Sequence, residues 1–287
     1  TTMDTLFIDK NGRGYHAEDV RVALREIGAG DCETLFIHSE LMFGRAPEDF
    51  NRKEYLSILY ETIKEVGAKN IIVPTFTYSF CNQEEYDVRA SRTSMGALSE
   101  FVRRQEGRYR THDPLLSISV PLCLKEKFEK IGNHSLGEGS AFDILHGMDG
   151  VKFLFFGAKQ GECFTYVHYV EKMLDVPYRF DMSFCGKVID ERGTEREKEQ
   201  IIHTRCYGVK LPESYEYFEE RLIEEGYVRK RQLGDSFVSC LSEADAYRQI
   251  IGAIKENPNY FVPDGYTEND LLHQYAMGLD GERITHC

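Results

Sequence analysis

The segment Thr165-Tyr166-Val167-His168-Tyr169-Val170-Glu171 places a histidine and a glutamate three residues apart, in a stretch that reads as the start of a helix. That spacing stacks the two side chains on one helical face. A carboxylate one turn from an imidazole can accept its proton, fix its tautomer and raise its basicity, as a general base working at neutral pH requires. Such pairs are also common on helices as surface or packing residues, so His168 and Glu171 must be judged by the elements around them.

Those elements read as α/β. Runs rich in β-branched and aromatic residues at Thr34–Ile37, Asn70–Val73, Ser117–Val120 and Val151–Phe156 predict strands, separated by segments with helical apolar spacing. Between Glu54 and Val66, residues Tyr55, Ile58, Leu59, Ile63 and Val66 fall at helix intervals before Gly67. A second helix is expected over Met95–Arg104, after a Ser-Thr-Ser-type stretch suited to capping. The run Val151–Phe156 is almost continuously apolar and ends at Gly157, as expected of a strand covered on both faces. The helix bearing His168 follows within about a dozen residues, near the carboxyl end of a central strand, where sites in open α/β sheets are found.

Beyond Pro177, Tyr178–Gly186 and Gln200–Val209 predict a long hairpin around the charged turn Asp190–Glu199. Amphipathic helices at Ser214–Glu225 and Ser242–Lys255 follow. The expectation is one domain over residues 1–287: a mixed central sheet flanked by helices, with a C-terminal β-hairpin and helical subdomain over residues 178–287 closing over the site.

The chain of 287 residues is 41% hydrophobic, enough for a full core without staples. No stretch has the length and apolarity of a membrane span, and the beginning of the sequence lacks a secretory pattern, so a cytoplasmic protein without a membrane partner is expected. The eight cysteines, Cys32, Cys81, Cys123, Cys163, Cys185, Cys206, Cys240 and Cys287, include no Cys-x-x-Cys pair. Reduced, mostly buried thiols are expected, and neither a metal site nor a disulfide framework. A formal charge of −13 argues against a nucleic-acid partner and would suit a cationic ligand, although acidity also serves solubility.

Several enzyme signatures are missing: no Walker A loop, dinucleotide fingerprint, nucleophile elbow or His-Glu-x-x-His zinc motif occurs. Short polar clusters at the expected strand ends remain. They are His38-Ser39-Glu40-Leu41, Pro74-Thr75-Phe76-Thr77-Tyr78, Arg92-Thr93-Ser94-Met95-Gly96 and the segment from Arg110 through His112, Asp113 and Pro114 to Ser117. Each could bond an extended cofactor, or cap a helix and close a turn. His16, His134, His146, His203, His273 and His286 lie outside any cluster and receive no role.

In order, these clusters resemble the aminoglycoside N3-acetyltransferase, or antibiotic N-acetyltransferase, family, whose fold is unrelated to the GNAT acetyltransferases. The likeness runs from Ile37-His38-Ser39-Glu40-Leu41 and Val73–Thr77 through Arg92–Gly96 and Arg110–Ser117. It continues at Gly137-Glu138-Gly139-Ser140-Ala141 and Leu154–Gly157 and ends at Thr165–Glu171. It covers roughly residues 30–180.

The resemblance implies an enzyme that transfers an acetyl group from acetyl-CoA to a small-molecule amine, without a metal, as a monomer or homodimer. His168 would be the base and Glu171 its partner, Glu171 also touching the acceptor. His38, Ser39, Leu41, Thr75, Phe76, Thr77, Ser94, Arg110 and Ser117 would line the cofactor path, and Tyr78 and Asp113 the acceptor side. Donors near Ser39 and Thr75–Thr77 would meet the developing oxyanion. The chain departs from the family pattern at Glu40, Ala141 and Asp113, the last standing where a histidine usually precedes the proline. The acceptor is therefore open between an aminoglycoside, at its 3-amino group, and a nucleotide-linked or surface-polysaccharide amino sugar. A non-catalytic CoA or sugar binder is the reading from another class.

Overall fold

The computed structural model describes residues 3–275. His286 and Cys287 lie outside the described residues. A small hairpin, β1 (Phe7–Ile8) and β2 (Gly14–Tyr15), leads into helix α1 (Ala17–Glu26) and strand β3 (Thr34–Ser39). Helix α2 (Arg52–Glu65) and strand β4 (Asn70–Pro74) follow, then β5 (Tyr86–Asp87), α3 (Ala97–Arg103), β6 (Arg108–Arg110) and β7 (Ile118–Pro121). Two short helices, α4 (Lys125–Phe128) and α5 (Ala141–His146), precede β8 (Val151–Phe156). Next come α6 (Gln160–Cys163), α7 (Tyr166–Met173) and the long pair β9 (Arg179–Ile189) and β10 (Glu195–Arg205). The chain continues through α8 (Glu216–Glu224), β11 (Arg229–Leu233), β12 (Ser236–Ser242) and α9 (Glu243–Glu256).

Seven strands form the main sheet in the order β11-β12-β8-β3-β4-β7-β6. The central trio β8, β3 and β4 is parallel, and antiparallel strands extend it on both sides. The trio's carboxyl ends therefore lie on one edge, with no hairpin to cover them. Alternation along the central strands builds the two cores. Phe36 of β3 and Phe153 and Phe155 of β8 pack on one face with Phe142 of α5 and Tyr166 and Tyr169 of α7. Leu35, Ile37, Leu154 and Phe156 pack on the other with Leu24 of α1 and Leu59 and Ile63 of α2. This is the physical reason that the strand at 151–156 is apolar at nearly every position.

The hairpin β9–β10 forms its own sheet with β5, pairing over eleven residues from Arg179↔Arg205 to Ile189↔Glu195. The C-terminal region also supplies β11 and β12, which the sequence pattern did not single out; β12 pairs directly with β8. Among the described residues six cysteines are free thiols, of which Cys123 is exposed. Cys185 departs from the expectation of reduced thiols throughout, being engaged in a disulfide. No helix among the described residues is long and apolar enough to cross a membrane.

Candidate active site

The way α7 ends decides what surrounds Glu171. Asp175 adopts φ 45°, a left-handed conformation that Asp tolerates better than most residues. Val176 N–H then donates back to Glu171 O at 3.2 Å, and Pro177 prevents the helix from continuing. The reversal returns the chain beside its own helix, so that Arg179, the first residue of β9, meets Glu171. His168 Nδ1 stands 2.7 Å from Glu171 Oε1, and Arg179 Nε stands 3.0 Å from the same oxygen. The Arg179 Nε–H makes no hydrogen bond among the described residues, so it acts on the carboxylate as a charge. Glu171 is fully buried, whereas the His168 side chain keeps 26% of its surface exposed.

The charges settle the protonation states. Burial favours a protonated Glu171, but the Arg179 charge and the His168 hydrogen bond overcome it and hold the carboxyl at about 2. Burial, with Arg179 assisting, pushes the His168 imidazole below its ordinary value against the pull of Glu171. At neutral pH the pair is a carboxylate beside a neutral imidazole. With the Nδ1 proton directed at Glu171, the lone pair is on Nε2, which makes no hydrogen bond among the described residues. A half-buried, oriented, uncharged imidazole of this kind can take a proton from a bound nucleophile.

The other face of α7 is anchored. The Tyr166 hydroxyl donates to buried Glu243 of α9, whose Oε1 also lies 2.7 Å from His146 Nδ1. The Tyr169 hydroxyl donates to Asp143 of α5 at 2.6 Å. These bonds fix the rotation of α7 about its axis and hence the direction of His168.

A cavity of about 450 Å³ opens at the carboxyl ends of β3 and β4. His38, Ser39, Leu41 and Ser94 line it, together with Lys159, Glu162 and Cys163 at α6. Because α6 ends at Cys163 and α7 begins at Tyr166, consecutive helices carry the cavity wall and the histidine pair. Gly157, at φ 74°, turns the chain out of β8; a Cβ there would lie 2.0 Å from Glu40 O, so the turn at residues 39–41 closes only over a glycine. His38 is 4% exposed and stacks on Phe155 with ring centroids 5.4 Å apart. Its Nε2 has no partner among the described residues, and burial lowers its pKa to about 3, so it is neutral.

The other expected cofactor residues are placed differently. Arg110, Thr75 and Ser117 form a buried knot: Arg110 Nε donates to Thr75 Oγ1 at 3.1 Å, Arg110 Nη2 donates to Thr75 O at 2.8 Å, and the two hydroxyls are 2.8 Å apart. Phe76 is 1% exposed in the core. The backbone N–H groups of Thr75 and Thr77 donate to Ser117 O and Leu115 O at 2.8 and 3.2 Å, and the Thr77 hydroxyl to Pro114 O at 3.0 Å. They are committed to holding the strand end, which removes them as free oxyanion donors.

Asp113 also has its partners within the protein. Its Oδ1 accepts from Leu115 N–H, Leu116 N–H and the Ser135 hydroxyl at 2.8, 2.9 and 3.0 Å, tying down the turn after β6. Tyr78 is half-buried at φ 51°, and burial, with Cys81 and Asp113 assisting, pushes its hydroxyl up to about 12.

Arg179 and the α6 side chains were not foreseen. The hairpin beginning near residue 178 was legible, but a strand's first residue carries no mark of the helix it will meet. Lys159 and Glu162 follow Gly157 with no motif to mark them.

The fold is shared with proteins of known structure. No curated sequence matches the chain significantly. Among solved structures, aminoglycoside acetyltransferase AAC(3)-Xa superposes with a TM-score of 0.69 at 16% identity, covering 86% of this chain and 94% of its own. A variant of aminoglycoside acetyltransferase AAC(3)-IVa in complex with a gentamicin gives 0.68 at 16% identity, with 91% and 93% covered. AAC-IIIb, as a binary complex with CoASH, gives 0.66 at 17%, with 84% and 96% covered. At such identities the likeness establishes the fold. The sequence pattern described as aminoglycoside 3-N-acetyltransferase matches residues 46–253, well over half of the chain, and therefore includes α7 and the hairpin that closes on it. The chain belongs to the aminoglycoside 3-N-acetyltransferase family, a family of acyltransferases.

Proposed function

We propose that the protein transfers the acetyl group of acetyl-CoA to an amine of an amino sugar, the favoured acceptor being the 3-amino group of an aminoglycoside. The observation that carries this reading is the neutral His168 imidazole, with Nδ1 bonded to a Glu171 carboxylate that Arg179 keeps ionised. An ammonium cannot attack a thioester, so its nitrogen must first lose a proton. His168 Nε2 takes that proton, the freed nitrogen attacks the thioester carbonyl, and a tetrahedral oxyanion forms. The C–S bond then breaks, the thiolate of CoA leaves and takes the proton held by His168, and the attacking nitrogen gives its remaining extra proton to solvent, which leaves the neutral amide.

The Ser39 hydroxyl lines the cavity and makes no hydrogen bond among the described residues, so it is the candidate donor to the oxyanion. Direct transfer fits the cavity chemistry. Its one cysteine, Cys163, has its thiol pushed up by burial and by Glu162, Glu219 and Glu40, the wrong direction for an acyl-carrying nucleophile. AAC-IIIb with CoASH and AAC(3)-IVa with a gentamicin supply the precedent for donor and acceptor. The acidic balance of the chain suits a polycationic acceptor.

The test is a thiol-release screen of acetyl-CoA against aminoglycosides and amino-sugar nucleotides in parallel. Saturable turnover with an aminoglycoside, giving a 3-N-acetyl product, is expected. Turnover with sugar nucleotides alone would replace the acceptor, and CoA binding without turnover on any amine would remove the enzyme reading.

A further inference from the structure

A cavity of about 390 Å³ lies at the sheet edge formed by β6 and shares no residue with the cavity at the strand ends. The loop after β5, the end of α3, the start of α4 and the tip of the hairpin β9–β10 complete its walls. Six cations line it, Arg89, Arg103, Arg104, Arg108, Arg110 and Lys125, against one carboxylate, Glu191. In a chain of formal charge −13 this concentration runs against the whole-molecule field.

Two of the six are answered within the protein, since Arg103 and Arg104 pair with Glu100 at 2.7 and 2.6 Å. Glu191 is itself taken by His112, at 2.8 Å. The other four keep their charge. Arg108 and Arg110 stand at alternate positions of β6 and so share one face. Both donate only to neutral oxygens: Arg108 to Ser119 Oγ, Ser119 O and Ile71 O at 3.0, 2.7 and 2.7 Å, and Arg110 to oxygens of Thr75, Ser117, Val88 and Ser91. Such bonds satisfy the N–H groups without neutralising the guanidinium, and burial lowers both groups, Arg108 to about 10. At the surface Arg89 makes no ion pair among the described residues. Lys125 reaches Glu129 only at 3.9 Å and stands over Tyr109, 5.6 Å from the ring centroid.

We propose that this cavity binds a diphosphate group, held directly by Arg89 and Lys125 and favoured by the uncompensated charges of Arg108 and Arg110 beneath them. Desolvated cations without a counter-charge are costly, and an anion in the cavity supplies that charge where solvent is partly excluded. The Arg89 fork can bond two phosphate oxygens at once, and Lys125 adds a point charge. Binding also bears on the loop at residues 88–91, where Arg103 Nη1 already donates to Arg89 O at 2.9 Å. That loop leads into Ser94, Met95 and Gly96, which border the strand-end cavity, so an anion on Arg89 braces the backbone that enters its wall. The inference does not depend on the acetyl-transfer reading.

The probe is inorganic pyrophosphate, titrated calorimetrically into the full-length protein at low ionic strength. Arg89→Gln with Lys125→Gln, neither of which is buried, is expected to bind it about tenfold or more weakly. Arg52→Gln with Lys53→Gln removes equal charge at the start of α2 and should bind as wild type does. Pyrophosphate should raise the thermal midpoint of wild type beyond the effect of sodium chloride at the same ionic strength. Uridine diphosphate, titrated in parallel, separates the sources: tighter binding than pyrophosphate points to an esterified diphosphate, equal or weaker binding to the free anion.

Equal pyrophosphate affinity in wild type and the Arg89/Lys125 variant would overturn the proposal, as would an equal loss in the Arg52/Lys53 variant. A thermal shift that sodium chloride reproduces would reduce the effect to general screening and overturn it too. Saturating CoA should not displace pyrophosphate; displacement would put the anion on the acyl donor's path and remove this site, leaving the acetyl-transfer reading untouched.

Discussion

Arg179 Nε lies 3.0 Å from Glu171 Oε1, the same oxygen that receives His168 Nδ1, so a residue of the hairpin sets the electrostatics of a pair carried on a helix. Its charge does two opposite things: it holds Glu171 ionised at about 2, and it helps keep His168 uncharged.

Arg179→Met should therefore shift the pH dependence. With the cation gone, the imidazolium form of His168 is favoured and its pKa rises. Activity needs the neutral form, so the acidic limb of kcat/KM should move to higher pH than in wild type. Glu171→Gln removes the opposing influence and should move the limb the other way. A pH–rate profile of both variants checks the pair of signs.

Glu171→Gln should also slow the reaction itself. The amide cannot fix the Nδ1–H tautomer as the carboxylate does, and the loss in kcat is expected to be roughly 10²- to 10⁴-fold, with KM for acetyl-CoA changed little. Steady-state kinetics at the pH optimum of each protein separate this from the pKa effect.

The buried Arg110 knot predicts a stability effect. Arg110 also donates to Val88 O and Ser91 O at 3.1 and 2.6 Å, and so ties the ends of β4 and β7 to the loop at residues 88–91. Arg110→Met would leave these buried acceptors unpaired and should cost about 3 kcal/mol in urea unfolding. Arg110→Lys should recover little of this, because one ammonium cannot span the positions of a planar fork.

Acid should begin to weaken the fold above the range in which carboxylates titrate. Burial lowers His38 to about 3, and burial lowers His203 to about 4 against the pull of Asp181. An unfolded histidine titrates near about 6.5, so the unfolded state takes up protons first as pH falls. The stability from keeping each ring neutral is present above that pH and is lost on the way down toward 3 or 4, at roughly 2 kcal/mol each by about pH 4.5. Urea midpoints measured from neutral pH downward should fall accordingly, and His38→Phe should flatten the slope.

The legible parts of this molecule were those set by local pattern. The strand at 151–156, the helix of Tyr55, Leu59 and Ile63, and the long hairpin announce themselves because periodicity and burial act along the chain. The His168–Glu171 contact was legible for the same reason, being one helical turn. Arg179 was not, because its meeting with Glu171 depends on a reversal at Asp175 that nothing in the residue type dictates. Residues 236–242 join the main sheet between β11 and β8 through pairing across about eighty residues, which no short window reveals. Arg110, Thr75 and Ser117 illustrate the converse: hydroxyl and guanidinium groups at a strand end can be spent on holding that end together, and sequence order cannot tell that from lining a cavity.

The central claim is that His168 removes the proton from the attacking amine. It is tested most directly by the rate of thiol release from acetyl-CoA with a saturating accepted amine, in wild type and in His168→Ala of equal thermal stability. The account predicts a fall in kcat of at least about 10²-fold. An unchanged rate across every accepted amine would contradict it.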